Sequence, residues 1–190
     1  MNAMLAAVRA KGLTIIENCA KEPHIVDLAN FLNTMGADVM GAGTDVIKIH
    51  GVSEMHGTDY PMIPDQIEAG TFMIAAAATK GELMIHNVIP KHLEPVTAKL
   101  VEMGVEVEEY DDAVRVKYVG EINGINVKTL PYPGFPTDAA APLLAAACVG
   151  AGTTVCIETI FENRFNTAAE LKKMGADITI MDRIAVVRGV

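Results

Sequence analysis

Two short runs in this chain put chemically capable side chains where a helix is about to begin. In IFENRFN, Arg164 precedes a helix-patterned segment that closes at Met174, and in FPTDAAAP, Asp138 precedes an alanine-rich one. A guanidinium offers a rigid planar fork of donors that suits a carboxylate or phosphate, and a nearby helix N-terminus adds to the attraction for an anion. A carboxylate can serve as a general base when a substrate hydroxyl comes within hydrogen-bond reach. Both residues also have a plainer reading. Arg164 reads equally well as a surface arginine paired with Glu162, and Asp138 as an ordinary helix N-cap, a role open also to Asp65 in IPDQIEAG. Glu17 and Glu22, in the run IENCAKEP, are a second pair of carboxylates that could do acid or base work, although solvated or capping glutamates are the commoner outcome.

The remaining reactive side chains point to no further chemistry. His24 and His92 hold matching places in a repeat, so architecture accounts for them, and His50, His56 and His86 lack the spacing of metal ligands. No metal and no cofactor is expected, since there is no Walker loop, dinucleotide fingerprint or Gly-x-Ser-x-Gly elbow. Cys19, Cys148 and Cys156 form no Cys-x-x-Cys pair and are expected to be reduced, structural thiols.

The elements that must carry these residues follow from an internal repeat. Three glycines, Gly12, Gly81 and Gly152, stand at nearly equal intervals of about seventy residues. An alanine-rich run precedes each one (MLAAVRAKG, MIAAAATKG, LAAACVGAG) and reads as a helix closed by a C-terminal glycine. After each glycine comes a β-rich stretch, LTIIEN, ELMIHN or TTVCIE, and then a second helix. That second helix ends at Met35, Met103 or Met174, with Leu32, Leu100 and Leu171 on one buried stripe and Gly36, Gly104 and Gly175 as left-handed caps. Two strands around a tight turn complete each copy: ADVMGAGTDVIKIHG, VEVEEYDDAVRVKYVG and ADITIMDRIAVVRG. Extended segments, GTDYPMIPD and INVKTLPYPGFPTD, precede the alanine-rich helix in the second and third copies. The expected fold class is therefore α/β (α+β), built from repeated βαβαββ units. The first copy lacks its leading strand, so the chain is expected to be part of something larger or to pair at that edge. Arg164 stands where copies one and two carry the apolar Ile25 and Leu93, and such a break in a repeated core position needs its own explanation.

Composition narrows the classes of function. With 190 residues, 51% of them hydrophobic, the chain can build a sizeable core. Its apolar runs fall short of the roughly 20 residues that a membrane span needs. The opening segment does not read as a signal peptide, which favours the cytoplasm. A net charge of −9 disfavours nucleic acid as a partner, while leaving room for a small anion held by a few converging arginines.

Taken together and in order, TIIENCAKEPHIVDLANFL, IPDQIEAGTFMIAAA, PYPGFPTD and IFENRF resemble the UDP-N-acetylglucosamine 1-carboxyvinyltransferase family, the enolpyruvyl transferases of peptidoglycan synthesis. The resemblance covers essentially the whole chain. It implies the inside-out α/β barrel type of fold, with two lobes of three units each and substrates bound between them. On that pattern residues 1–63 are the last unit of one lobe, truncated at its start, and 64–190 are the first two units of the second, with Pro61 to Pro64 crossing between them. The implied reaction moves enolpyruvate from phosphoenolpyruvate to the 3′-hydroxyl of UDP-N-acetylglucosamine. Asp138 resembles the aspartate that contacts the sugar hydroxyl and is proposed as general base. Arg164 matches an arginine that engages the phosphoenolpyruvate carboxylate, Ile160 and Phe161 match positions that contact the UDP-sugar, and Glu17 and Glu22 match acidic positions facing the cleft. The chain departs from the family pattern at Gln66, where arginine is usual, at Ala140, where glutamine is expected nearby, and at Asn166-Thr167, where Met-His is expected. The family's early Lys-Asn pair, its cysteine loop and further phosphate-binding arginines have no counterpart here. Catalysis is therefore expected only together with the remainder of the same enzyme. The alternative is a non-catalytic α/β repeat module for protein or RNA contact.

Overall fold

The structure, a computed structural model, describes residues 1–189. It divides into two compact units, Met1–Ile63 with Pro131–Pro133, and Pro64–Leu130 with Gly134–Val190.

In the first unit the order is α1 (Asn2–Ala7), β1 (Leu13–Glu17), α2 (Pro23–Thr34), β2 (Asp38–Met40) and β3 (Val46–His50). The three strands form one antiparallel sheet in the order β1-β3-β2. Alternation along β3 sends Ile47 and Ile49 inward, onto Met4, Ile25, Ala29 and Leu32 of the two helices. Burying such side chains stabilises by about 1.5–3 kcal/mol each, which is why two short helices and a small sheet hold together.

The second unit contains two further copies of this arrangement. The first runs α3 (Gln66–Ala78), β4 (Glu82–His86), α4 (Pro90–Glu102), β5 (Glu106–Glu109) and β6 (Ala113–Lys117). The second runs β7 (Asn126–Lys128), a 3-10 turn (Thr137–Ala139), α5 (Ala140–Cys148), β8 (Thr153–Ile157), α6 (Asn166–Lys173), β9 (Asp177–Met181) and β10 (Ile184–Arg188). The sheets have the orders β4-β6-β5 and β7-β8-β10-β9, with β7 parallel to β8 and the other neighbours antiparallel. A shared core joins the two copies, with Met73, Leu93, Leu100, Val114 and Val116 from one and Leu143, Leu144, Cys156 and Ala185 from the other. The alanine-rich helices α3 and α5 pack on each other, as small side chains allow.

The repeat extends to individual hydrogen bonds. The carbonyls of Leu32, Leu100 and Leu171 accept from Ala37, Val105 and Ala176, while Gly36, Gly104 and Gly175 take positive φ between them. This is the glycine-closed helix end read from the sequence. The carbonyls of Gly12, Gly81 and Gly152 accept from Gly51, Tyr118 and Gly189, tying the end of each last strand back to the start of the first.

Three expectations need correction. Gly81 does not take the left-handed conformation of Gly12 and Gly152; Lys80 does, at φ 56°, so the turn is one residue earlier in copy two. GTDYPMIPD forms no strand, because Pro61 and Pro64 remove backbone donors that a ladder would need, and only the third copy shows the full βαβαββ order. The buried stripe is complete in copies one and two and weakens in copy three, where Leu171 is half-buried and Met174 is 84% exposed, against 0% for Met103.

Candidate functional site

The second helix of copy three starts late. Ile25 and Leu93 lie inside α2 and α4 and are buried, whereas Arg164 precedes the first residue of α6, Asn166. The turn that forms α2 and α4 is here opened into the segment 158–165. Asn163 adopts φ 54°, a conformation that asparagine tolerates better than most residues, and the chain reverses there just before Arg164.

Arg164 donates from Nη2 to Oδ1 of Asp138 in a charged hydrogen bond. Its guanidinium also lies over the Phe161 ring, 5.4 Å from the centroid, where the ring face attracts a cation. The pairing with Glu162 expected as the plainer reading does not form; Glu162 binds Arg183 at 3.1 Å. Asp138 and Arg164 face an open pocket of about 460 Å³, lined also by Thr137, Ala140, Phe161 and Asn166.

The two aspartates that looked alike in sequence behave differently. Asp65 caps α3, its Oδ1 accepting from the amides of Ile67 at 2.8 Å and Glu68 at 3.3 Å. Asp138 lies inside the 3-10 turn, and α5 is capped from Ala139 with no side-chain bond. The proline and the 3-10 turn shift the helix start past Asp138, and its carboxylate is left for Arg164. Capping therefore does not account for this residue.

The carboxylates Glu17 and Glu22 belong to the first unit. Glu17 ends β1 and is exposed. Glu22 is the N-cap residue of α2 but makes no side-chain cap bond, and its Oε2 is buried without a hydrogen-bond partner among the described residues. Ile160 is half-buried beside Phe161, and its amide is engaged within the chain. Thus the structure brings Asp138, Phe161 and Arg164 to one pocket, with Ile160 next in sequence.

A residue missed in the sequence sits beneath this pocket. Glu158 is 1% exposed. Its Oε1 accepts from Thr129 Oγ1 at 2.9 Å, the Ile160 amide at 2.7 Å and the Phe161 amide at 3.1 Å, and its Oε2 accepts from Thr137 Oγ1 at 2.6 Å. Burial by itself would raise its pKa, but the hydrogen bonds from Thr137, Ile160, Phe161 and Thr129 outweigh it and hold the group below the usual carboxylate range. The signal was present: the β-rich stretches end in Asn18, Asn87 and Glu158, at one repeat position. Among the described residues no group of three or more His, Cys, Asp or Glu side chains is placed to hold a metal ion, and no helix is long and apolar enough to cross a membrane.

These α/β units, with a carboxylate and a guanidinium converging on one pocket, are those of an enolpyruvyl transferase fold: the chain belongs to the EPSP synthase (3-phosphoshikimate 1-carboxyvinyltransferase) family, whose model matches residues 1–190. Within it, the chain is 57% identical over 190 residues to UDP-N-acetylglucosamine 1-carboxyvinyltransferase 3 of Caldanaerobacter subterraneus subsp. tengcongensis, covering 100% of this chain and 46% of that protein. It is 56% identical, with the same coverage, to the UDP-N-acetylglucosamine 1-carboxyvinyltransferase of Clostridium botulinum. The chain thus spans under half the length of these relatives. Among solved structures, the enolpyruvyl transferase NikO from Streptomyces tendae superposes with a TM-score of 0.86 at 26% identity, over 98% of this chain and 45% of that one. An EPSP synthase from Acinetobacter baumannii shares the fold, with a TM-score of 0.66 at 24% identity over 98% of this chain and 44% of that one.

Proposed function

We propose that this chain carries part of the active site of a UDP-N-acetylglucosamine 1-carboxyvinyltransferase, which transfers enolpyruvate from phosphoenolpyruvate to the 3′-hydroxyl of the sugar nucleotide. The observation that carries the reading is the Asp138–Arg164 pair on an open pocket, in an aspartate that no helix end uses. Identities of 56% and 57% to proteins bearing that name support the choice of substrates.

In this reading Residues 1–63 complete one lobe and 64–190 open the other, a division supported by the boundary between Ile63 and Pro64. Arg164 uses only Nη2 toward Asp138 among the described residues, so the rest of its fork is open to an incoming carboxylate. With the phosphoenolpyruvate carboxylate on the open part of that fork, Asp138 can accept the proton of the sugar hydroxyl as that oxygen bonds to C2 of phosphoenolpyruvate while C3 takes up a proton; the bond from C2 to the phosphate oxygen then breaks, inorganic phosphate leaves and C3 gives up a proton to restore the enol ether. Phe161 and Ile160 supply an apolar wall for the sugar nucleotide, and Glu17 and Glu22 are cleft carboxylates of the other lobe. A transition state with developing charge needs several preorganised cations, and the proposal assigns the others to the remainder of the enzyme. The three free cysteines support work in a reducing compartment, the cytoplasm.

The test is a titration of this chain with phosphoenolpyruvate and with UDP-N-acetylglucosamine, followed by chemical shifts. Shifts confined to residues around Asp138 and Arg164, abolished by Arg164→Ala for phosphoenolpyruvate and by Asp138→Ala for the sugar nucleotide, are the expected result. Binding that is indifferent to both substitutions would remove the assignment.

A further inference from the structure

Glu158 is an expensive residue for its position. In each copy the same number of residues separates the marker glycine from the residue that ends the first strand's run, which is Asn18, Asn87 and Glu158. Asn18 and Asn87 make their turns by taking φ 55° and 56°, a local solution that asks nothing of the rest of the fold. Copy three replaces this with a carboxylate buried among Thr129, Thr137 and the backbone. Burying a carboxylate is unfavourable unless its lone pairs are matched, and a turn alone does not require it. The four hydrogen bonds show what the residue does instead. Oε2 holds Thr137, the neighbour of Asp138, and Oε1 holds the amides of Ile160 and Phe161, which lead into Arg164. The third arm of Oε1, to Thr129 directly after β7, fixes the carboxylate to the sheet.

We propose that Glu158 is the positioning residue of the Asp138–Arg164 site: through its two oxygens one rigid carboxylate spans the turn that carries the aspartate and the turn that carries the arginine, and so sets their separation. The proposal rests on the reading of that pair as the reactive site. Thr137 is the arm that acts on Asp138, its hydroxyl donating to Oε2 while its backbone leads directly into the aspartate.

The experiment uses the 190-residue chain and three substitutions, Thr137→Val, Thr137→Ser and Thr129→Val, with Glu158→Gln as a fourth. Nitrogen-15 spectra of the Arg164 guanidinium report how tightly it is held, through the rate of rotation about its Nε–Cζ bond, and urea unfolding reports stability. Loss of one hydrogen bond to a charged acceptor corresponds to about a tenfold change. Thr137→Val is expected to speed Arg164 rotation by about that factor and to weaken phosphoenolpyruvate binding similarly, with Thr137→Ser restoring both. Thr129→Val, which also loses the Thr159 amide, is expected to lower stability more and to disturb Arg164 less. Glu158→Gln should disturb Arg164 less than Thr137→Val, since its amide nitrogen can donate to the Thr137 hydroxyl and so keep that arm with its direction reversed. If Thr137→Val lowers stability while Arg164 rotation stays at the wild-type rate, Glu158 is structural only and the inference is overturned. If the wild-type chain takes up no phosphoenolpyruvate but Arg164 still responds to Thr137→Val and recovers with Thr137→Ser, the positioning role stands and the assignment of phosphoenolpyruvate binding to Arg164 within this chain fails.

Discussion

Asp65 and Asp138 each precede an alanine-rich helix in the sequence, and substituting each by alanine should give opposite answers. Asp65→Ala removes a carboxylate that accepts from two amides at the start of α3, and losing such a cap costs about 1 kcal/mol, within a range of roughly 0.5–2. Asp138→Ala removes no cap bond, only the pair with Arg164, whose side chains are 58% and 41% exposed respectively. Exposed pairs of this kind are worth about 0–1 kcal/mol and fade as salt rises. The chain contains no tryptophan, so far-UV circular dichroism during urea or thermal unfolding is the suitable probe. At this chain length 1 kcal/mol corresponds to about 2–4 °C in Tm, which is measurable. The decisive comparison is a double-mutant cycle with Arg164→Ala. Once Arg164 is gone, Asp138→Ala should have no further effect, whereas Asp65→Ala should cost the same in both backgrounds. If Asp138→Ala still destabilises by about 1 kcal/mol without Arg164, the residue is a cap after all. The case for its chemistry then fails at its root.

Other outcomes follow from single features. Tyr60 donates to buried Asp27 at 2.8 Å, so Tyr60→Phe should cost about 1–3 kcal/mol and speed amide exchange across 51–60. The hydrogen bond to Asp27, burial and the nearby charge raise the Tyr60 pKa in the folded state, so its contribution is complete below the unfolded value near 10 and is lost as pH climbs through the higher folded value. The wild type should therefore show an alkaline loss of stability that Tyr60→Phe lacks, and identical alkaline limbs would refute this. The Cys156 thiol, pushed up to about 12 by burial and by the Glu158 charge, should resist alkylation at pH 8 until unfolding, with Cys148 also slow and half-buried Cys19 first to react; equal rates for all three would contradict the packing. Met103→Ala should cost about 2–5 kcal/mol by opening a core cavity and Met174→Ala less than about 0.5, although both close the same helix of the repeat. Similar losses in urea unfolding would mean that the exposure of Met174 is wrong.

The sequence by itself determined the periodic parts of this protein. Helix ends at Gly36, Gly104 and Gly175, the β-rich stretches and the paired strands depend on local rules: apolar period, turn chemistry and the freedom of glycine at positive φ. Those rules act within a few residues, so they can be read along the chain, and the same is true of the family motifs that surround Asp138 and Arg164. Arg164 could be singled out because a charge had replaced Ile25 and Leu93 of the other copies. What the sequence could not decide was how each side chain is used, because that depends on groups distant along the chain. Capping separated Asp65 from Asp138 only once a 3-10 turn had moved the start of α5, and Glu162 lost Arg164 to Asp138, which the fold brings within reach. Glu158 shows the limit most clearly. Its place after Asn18 and Asn87 was visible as a difference of letter, but its meaning required Thr129, Thr137, Ile160 and Phe161 to converge on one carboxylate. Hydrogen bonds and ion pairs act over about 3 Å in space, and only the tertiary fold determines which residues come that close.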